Sequence, residues 1–138
     1  MIINPKISVV IPVYNMGEYL PQCLDSVIGQ TLYDIEIICV DDGSTDNSHE
    51  ILLKYQEKDE RIIIVTQENA GAGPARNNGI NHSSGEFVAF MDPDDWYPDT
   101  DILETLYREA KKHHVRICGG SYCADDNGQK QARYRGAV

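Results

Sequence analysis

Short β-branched runs alternating with helix-period segments set the tightest limit on what this chain can fold into. Ile7-Ser8-Val9-Val10-Ile11 is almost wholly apolar, as a strand buried on both faces of a parallel sheet must be. Residues 35–40, 61–65 and 86–91 are three more such runs, and residues 115–118 are read as a short fifth. Between them lie Leu20, Cys23, Leu24, Val27 and Ile28 at helical spacing, closed by Gly29. Ile51, Leu52 and Tyr55 mark a second helix, and Pro74 opens a third that runs to about residue 81. Ile102, Leu103, Leu106, Tyr107 and Ala110 mark a fourth after Pro98. Asn15 with Glu18 three residues later resembles a capping box for the first helix. Strands that alternate with helices predict an α/β fold with a mainly parallel sheet and right-handed crossovers.

In such sheets ligands bind beyond the carboxyl ends of the strands. The loops expected there are 12–15, 41–46, 66–73 and 92–96, and they hold most of the unusual polar chemistry. The last of them is the most informative. Phe90-Met91-Asp92-Pro93-Asp94-Asp95 places three carboxylates directly after an apolar strand. If the backbone stays extended past Met91, Asp92 and Asp94 point to the same side. Neighbouring carboxylates repel, and a hard divalent cation, Mg²⁺ or Mn²⁺, relieves that repulsion and leaves coordination sites for water and phosphate. An acidic turn with an aspartate capping the following segment is the plainer alternative.

Asp41-Asp42 ends the second strand, where an aspartate can accept hydrogen bonds from a base or a ribose, or can simply cap the turn at Gly43. Tyr14 after Pro12 offers an aromatic face for base stacking, or ordinary packing at a sheet edge. Asn69-Ala70-Gly71-Ala72-Gly73-Pro74-Ala75-Arg76 sets glycines before a helix start, where N–H groups meet anions. Arg76 near that start is disfavoured by the helix dipole unless a phosphate or a carboxylate (Asp41, Asp42 or Asp92) offsets it. The third glycine of a dinucleotide fingerprint is replaced by Arg76.

Composition narrows the classes. A chain of 138 residues with net charge −10 is most simply one domain, and its charge argues against nucleic acid as a partner. It also leaves an anionic substrate in need of a cation. No run approaches the ~20 apolar residues of a membrane span, and the first residues lack a signal-peptide pattern. Cys23, Cys39, Cys118 and Cys123 form no CxxC pair and are read as reduced thiols in the cytoplasm. His49, His82, His113 and His114 lack metal-ligand spacing and are read as solvated. Residues 124–138 read as an exposed hairpin or a flexible tail.

The motifs occur in one order: Val9 to Asn15, Ser26 to Thr31, Glu36 to Asp46, Asn69 to Gly79, and Gly85 to Asp95. Together they resemble the nucleotide-binding half of glycosyltransferase family 2, over about residues 6–120. The resemblance implies a GT-A type fold, three α/β/α layers around a mainly parallel sheet. It implies transfer of a sugar, with inversion, from a nucleotide diphosphate-sugar (a UDP-sugar) to an acceptor hydroxyl. The acceptor class implied is a saccharide or lipid-linked molecule in cell-surface polysaccharide or glycolipid assembly, at the inner face of the membrane. By the same resemblance Pro12, Tyr14, Asn15, Asp41, Asp42, Gly71, Arg76, Asp92 and Asp94 surround the nucleotide-sugar. Asp94 is the expected direct ligand of Mn²⁺ or Mg²⁺, with Asp92 a ribose or metal contact and Asp95 next in line. The catalytic base and most of the acceptor site are expected beyond residue 138. Two other readings stay open: a sugar-nucleotide-binding module without catalysis, and a phosphotransferase with Asp92 as nucleophile.

Overall fold

A computed structural model describes the backbone of residues 4–113, 117–118, 122–124 and 130–132, and the side chains of residues 4–112. Five parallel strands form one sheet in the order β3-β2-β1-β4-β5. They are β1 (Ile7–Val13), β2 (Ile35–Asp41), β3 (Ile62–Thr66), β4 (Phe87–Phe90) and β5 (Ile117–Cys118). The helices are α1 (Leu20–Ile28), α2 (Ser48–Lys58), α3 (Ala72–Asn81) and α4 (Ile102–His113). The α/β class and the parallel sheet follow the expectation.

The β-branched runs form central strands because both of their faces are covered. Val9, Ile11 and Val13 of β1 and Ile35, Ile37 and Cys39 of β2 enter one core with Leu20, Leu24, Leu52, Leu103 and Leu106 from α1, α2 and α4. The alternate residues Val10, Ile38 and Val40 enter a second core with Ala75 of α3. Each fully buried Val, Leu or Ile favours this arrangement by roughly 1.5–3 kcal/mol. Helix α3 has Ile80 as its only large apolar side chain and packs through small residues, Ala75 and Gly79. A Cβ on Gly79 would overlap Val10 Cγ1.

The strand order reverses direction after β3, because β4 returns to the far side of β1. That reversal opens a crevice beyond the carboxyl ends of β1 and β4. Register then aligns the strand ends, with Val13 opposite Asp41 and Asp41 opposite Thr66. The loops holding Tyr14, Asp42 and Gln67 therefore leave the sheet side by side.

The capping box expected at Asn15 is absent. Helix α1 starts later, at Leu20, with Tyr19 at its N-cap and Pro21 in its first turn. Asn15 instead has φ 49 and bonds to the loop after β2. The Asn-x-x-Glu pattern is local, and a long-range partner outcompeted it. Tyr122–Ala124 and Lys130–Ala132 pair antiparallel. Residues 125–129 and 133–138, the rings of His113 and His114, and the thiols of Cys118 and Cys123 lie outside the described residues. Among the described residues no helix is long and apolar enough to cross a membrane.

Candidate functional site

Beyond β4 the chain does not stay extended. Met91 is buried and its N–H reaches Val10 O at 3.0 Å, which carries the β1–β4 pairing one residue further. The backbone then turns: Asp95 N–H donates to Asp92 O at 3.0 Å, with Pro93 and Asp94 at the two central positions. Proline's fixed φ suits the first central position of such a turn as well as it suits a strand. The turn, and not strand alternation, gathers the acids. One carboxylate oxygen each from Asp92, Asp94 and Asp95 lies within 4.8 Å of the others, all three side chains exposed.

The electrostatics of that cluster are visible in its neighbours. Burial, with the negative charges of Asp94 and Asp92, raises the Asp95 carboxyl above its ordinary value. Beneath the turn, Cys23 Sγ lies 3.7 Å from Asp92 O. Burial, then Asp95, Asp92 and Asp94, push that thiol up to about 12, so it stays neutral and is no nucleophile. Arg76 of α3 brings a counter-charge to the cluster, with Nη2 3.0 Å from Asp92 Oδ1.

The acids after β2 are engaged differently. Asp42 is 2% exposed, and its carboxylate accepts from Gln67 Nε2 at 2.9 Å, Ala70 N–H at 2.7 Å, Gly71 N–H at 3.0 Å and Asn69 Nδ2 at 3.3 Å. Burial raises its pKa, but the bonds from Gln67, Ala70 and Gly71 prevail and hold it below the usual carboxylate value. Asp42 thereby shapes the 67–71 loop and the start of α3. Gly71 there has φ 103, which favours glycine. Asp41 Oδ1 accepts from Ser44 N–H at 3.0 Å, and its Oδ2 lies 3.1 Å from His49 Nδ1. His49, read as solvated from the sequence, is thus a partner of Asp41. Eight positions apart, across a loop and a helix start, the two show no motif.

A pocket of about 460 Å³ opens where these loops meet. It brings together Pro12, Tyr14, Asp42, Gly71, Arg76, Asp92 and Asp94, while Asn15 and Asp41 stand outside its lining. Met16, Asn69, Ala72 and Ala75 also line it, although the sequence reading had not singled them out. Asn69 was legible only as part of a glycine-rich loop, and Met16 carried no signal. The pocket lining therefore combines an aromatic ring, a single arginine and two of the three clustered carboxylates.

The family model for glycosyl transferase family 2 matches residues 8–137. The chain belongs to glycosyltransferase family 2. This family 2 chain is 48% identical over 122 residues to the glycosyltransferase GlyA of Streptococcus pneumoniae serotype 4, covering 88% of this chain and 17% of that protein. Among solved structures it resembles S. aureus TarS 1–349 in complex with UDP, at 33% identity and TM-score 0.72, over 79% of this chain and 33% of that one. It also resembles the mannosyltransferase PcManGT from Pyrobaculum calidifontis, in complex with GDP-Man and Mn²⁺, at 25% identity and TM-score 0.75, over 82% of this chain and 34% of that one. The fold is thus of GT-A type. The chain spans about a third or less of the length of these relatives.

Proposed function

We propose that this family 2 chain holds the nucleotide diphosphate-sugar donor of an inverting glycosyltransferase, with a UDP-sugar as donor and a divalent cation as cofactor. The observation that carries the reading is the pocket itself. Tyr14 follows β1, Asp92 and Asp94 follow β4, and Arg76 of α3 reaches Asp92, all of them lining one pocket. In this reading the base stacks on Tyr14 and the diphosphate lies near Arg76 and the acid cluster.

The cluster fits a hard cation: three carboxylates offer oxygen donors within 4.8 Å of one another. Asp94 is assigned as the principal ligand, with Asp95 and Asp92 beside it. A bound Mn²⁺ or Mg²⁺ supplies positive charge where the diphosphate leaving group gains negative charge. The chain's own residues do the rest. Arg76 can turn from Asp92 to a phosphate oxygen, and the Asp42-braced loop keeps Gly71 and Ala72 against the nucleotide. The relatives solved with UDP, UDP-GlcNAc and GDP-Man support a nucleotide-sugar donor. The acceptor proposed is a saccharide or lipid-linked hydroxyl in cell-surface assembly. Cys23 and Cys39, both buried free thiols, accord with a reducing cytoplasmic setting, and the inner membrane face is the proposed place of transfer.

A second reading, donor binding without transfer, is favoured by the state of the pocket's carboxylates. Among the described residues lining the pocket, Asp42 is saturated with hydrogen bonds, Asp92 is paired with Arg76, and Asp94 belongs to the cation cluster. None of them is free to take a proton from an acceptor hydroxyl. Calorimetry with UDP and UDP-sugars, with Mn²⁺, with Mg²⁺ and with chelator, tests donor binding. Binding should strengthen with metal, and Asp94→Ala should remove the gain. Equal affinity with and without metal defeats the proposal. Sugar transfer to any acceptor by this chain would set aside the binding-only reading.

A further inference from the structure

Asn15 stands beside the pocket without lining it. Its φ of 49 lies in the left-handed region, which asparagine tolerates better than most residues. From that backbone its N–H donates to Ser44 Oγ at 3.1 Å, and its Oδ1 accepts from Thr45 N–H at 2.7 Å and Asp46 N–H at 3.2 Å. Its Nδ2 donates to Thr45 Oγ1 at 3.2 Å. Both ends of the amide are therefore turned onto the loop after β2. The following residues extend the clasp, with Met16 N–H on Ser48 Oγ at 3.1 Å and Gly17 N–H on Asp46 Oδ2 at 3.0 Å. On the other side of Tyr14, Val13 O accepts from Asp42 N–H at 2.8 Å. Tyr14 is thus anchored through its neighbours on both sides, while its ring stays 45% exposed at the pocket.

The geometry points to Asn15 as a positioning residue, which sets the Tyr14 ring as the base-stacking face through the loop after β2 and does not touch the nucleotide. The inference rests on the donor-binding reading above and divides the pocket in two. The Asn15 clasp, between the β1 and β2 loops, governs the base end. The turn at Asp92–Asp95, built on β4, governs the phosphate end. The operative atom is Oδ1, which serves two N–H groups at once. Aspartate keeps that acceptor, glycine keeps only the backbone freedom, and alanine keeps neither.

The test measures Mn²⁺-supported binding of UDP and of inorganic pyrophosphate to the wild type and to Asn15→Asp, Asn15→Gly and Asn15→Ala. Asn15→Gly carries the weight, because it accepts φ 49 without strain. It should lose UDP affinity by about tenfold or more, the scale of one stacking contact, with pyrophosphate affinity kept within about twofold. Asn15→Asp should regain most of the UDP affinity. UDP binding at wild-type strength by Asn15→Gly overturns the inference. An equal loss of UDP and pyrophosphate overturns it too, by showing general damage. Asn15→Asp as weak as Asn15→Gly, with pyrophosphate binding intact, overturns it in favour of a direct contact from the amide NH₂. A wild type that binds pyrophosphate but not UDP defeats the donor-binding reading itself, and this inference with it.

Discussion

Arg76 Nη2 sits 3.0 Å from Asp92 Oδ1, so an acid at the tip of β4 is held by a cation carried on α3. The two side chains are 39% and 48% exposed, and such pairs add under about 1 kcal/mol. The importance of the pair is local charge. Among the described residues lining the pocket Arg76 is the only cation, in a chain of net charge −10. Arg76→Ala should lower Tm by no more than about 4 °C. It should weaken UDP binding by about tenfold, the loss of one charge-assisted hydrogen bond. Binding of Mn²⁺ alone should tighten, because Asp92 loses its competing partner. Calorimetry on the two ligands separates these effects, and parallel losses for both would contradict the pairing as described.

Asp42 gives a pH-dependent prediction. Hydrogen bonds from Gln67, Ala70 and Gly71 outweigh the effect of burial and hold its pKa below the ordinary 3.8. A carboxylate lowered in this way adds stability that is complete above the unfolded-state pKa and is lost as pH falls through the native value. Asp42→Asn sets an NH₂ against the N–H of Ala70 or Gly71. Its expected cost near neutral pH is about 2 kcal/mol. The gap to the wild type should narrow as pH drops below 3.8. Denaturant unfolding at neutral and acidic pH measures it, and a gap that stays constant would refute the hydrogen-bonded account.

Strands β1 and β2 were legible in the chain because a strand covered on both faces leaves a β-branched, unbroken apolar run. The site loops were legible for a related reason, since parallel strands deliver their carboxyl ends to one edge. The conformation at Asp92–Asp95 was not, because proline satisfies an extended segment and a turn equally well. The three acids stand out in the sequence, but the backbone that carries them turns instead of staying extended. Asn15 was misread for a different cause: its partners Ser44, Thr45 and Asp46 lie about thirty residues away, while Glu18 made a plausible local partner. The His49–Asp41 contact was hidden in the same way, since nothing in the spacing says which helix-start side chain will turn back onto a strand end.

Cys23 and Cys39 should be chemically silent in the folded protein. Burial, reinforced by Asp95, Asp92 and Asp94, pushes Cys23 up to about 12, and burial raises Cys39 as well. The thiolate is the reactive form, and it is scarce for both at any ordinary pH. Alkylation followed by peptide mass mapping should leave both unmodified under native conditions and label both in denaturant. Native labelling of Cys23 at the rate of a free thiol would show that the acid turn does not cover it.

The contact between α3 and the sheet yields the sharpest packing prediction. Gly79 lies against Val10 and Val40, and an added Cβ would overlap Val10 Cγ1 and come within 3.3 Å of Val40 Cγ2. Both valines belong to central strands, so neither can retreat without disturbing the sheet. Gly79→Ala gains helix propensity of up to ~1 kcal/mol, yet overpacking costs about 1–3 kcal/mol, so a net loss is expected. The helix is forced outward, and it carries Gly71 at its cap and Arg76 on its pocket side. UDP binding should therefore weaken even where the variant is fully folded. Pairing Gly79→Ala with Val10→Ala, which removes the atoms in conflict, should recover part of the binding loss although Val10→Ala alone destabilises the core. If the double variant binds no better than Gly79→Ala alone, the Val10 contact does not set the position of α3.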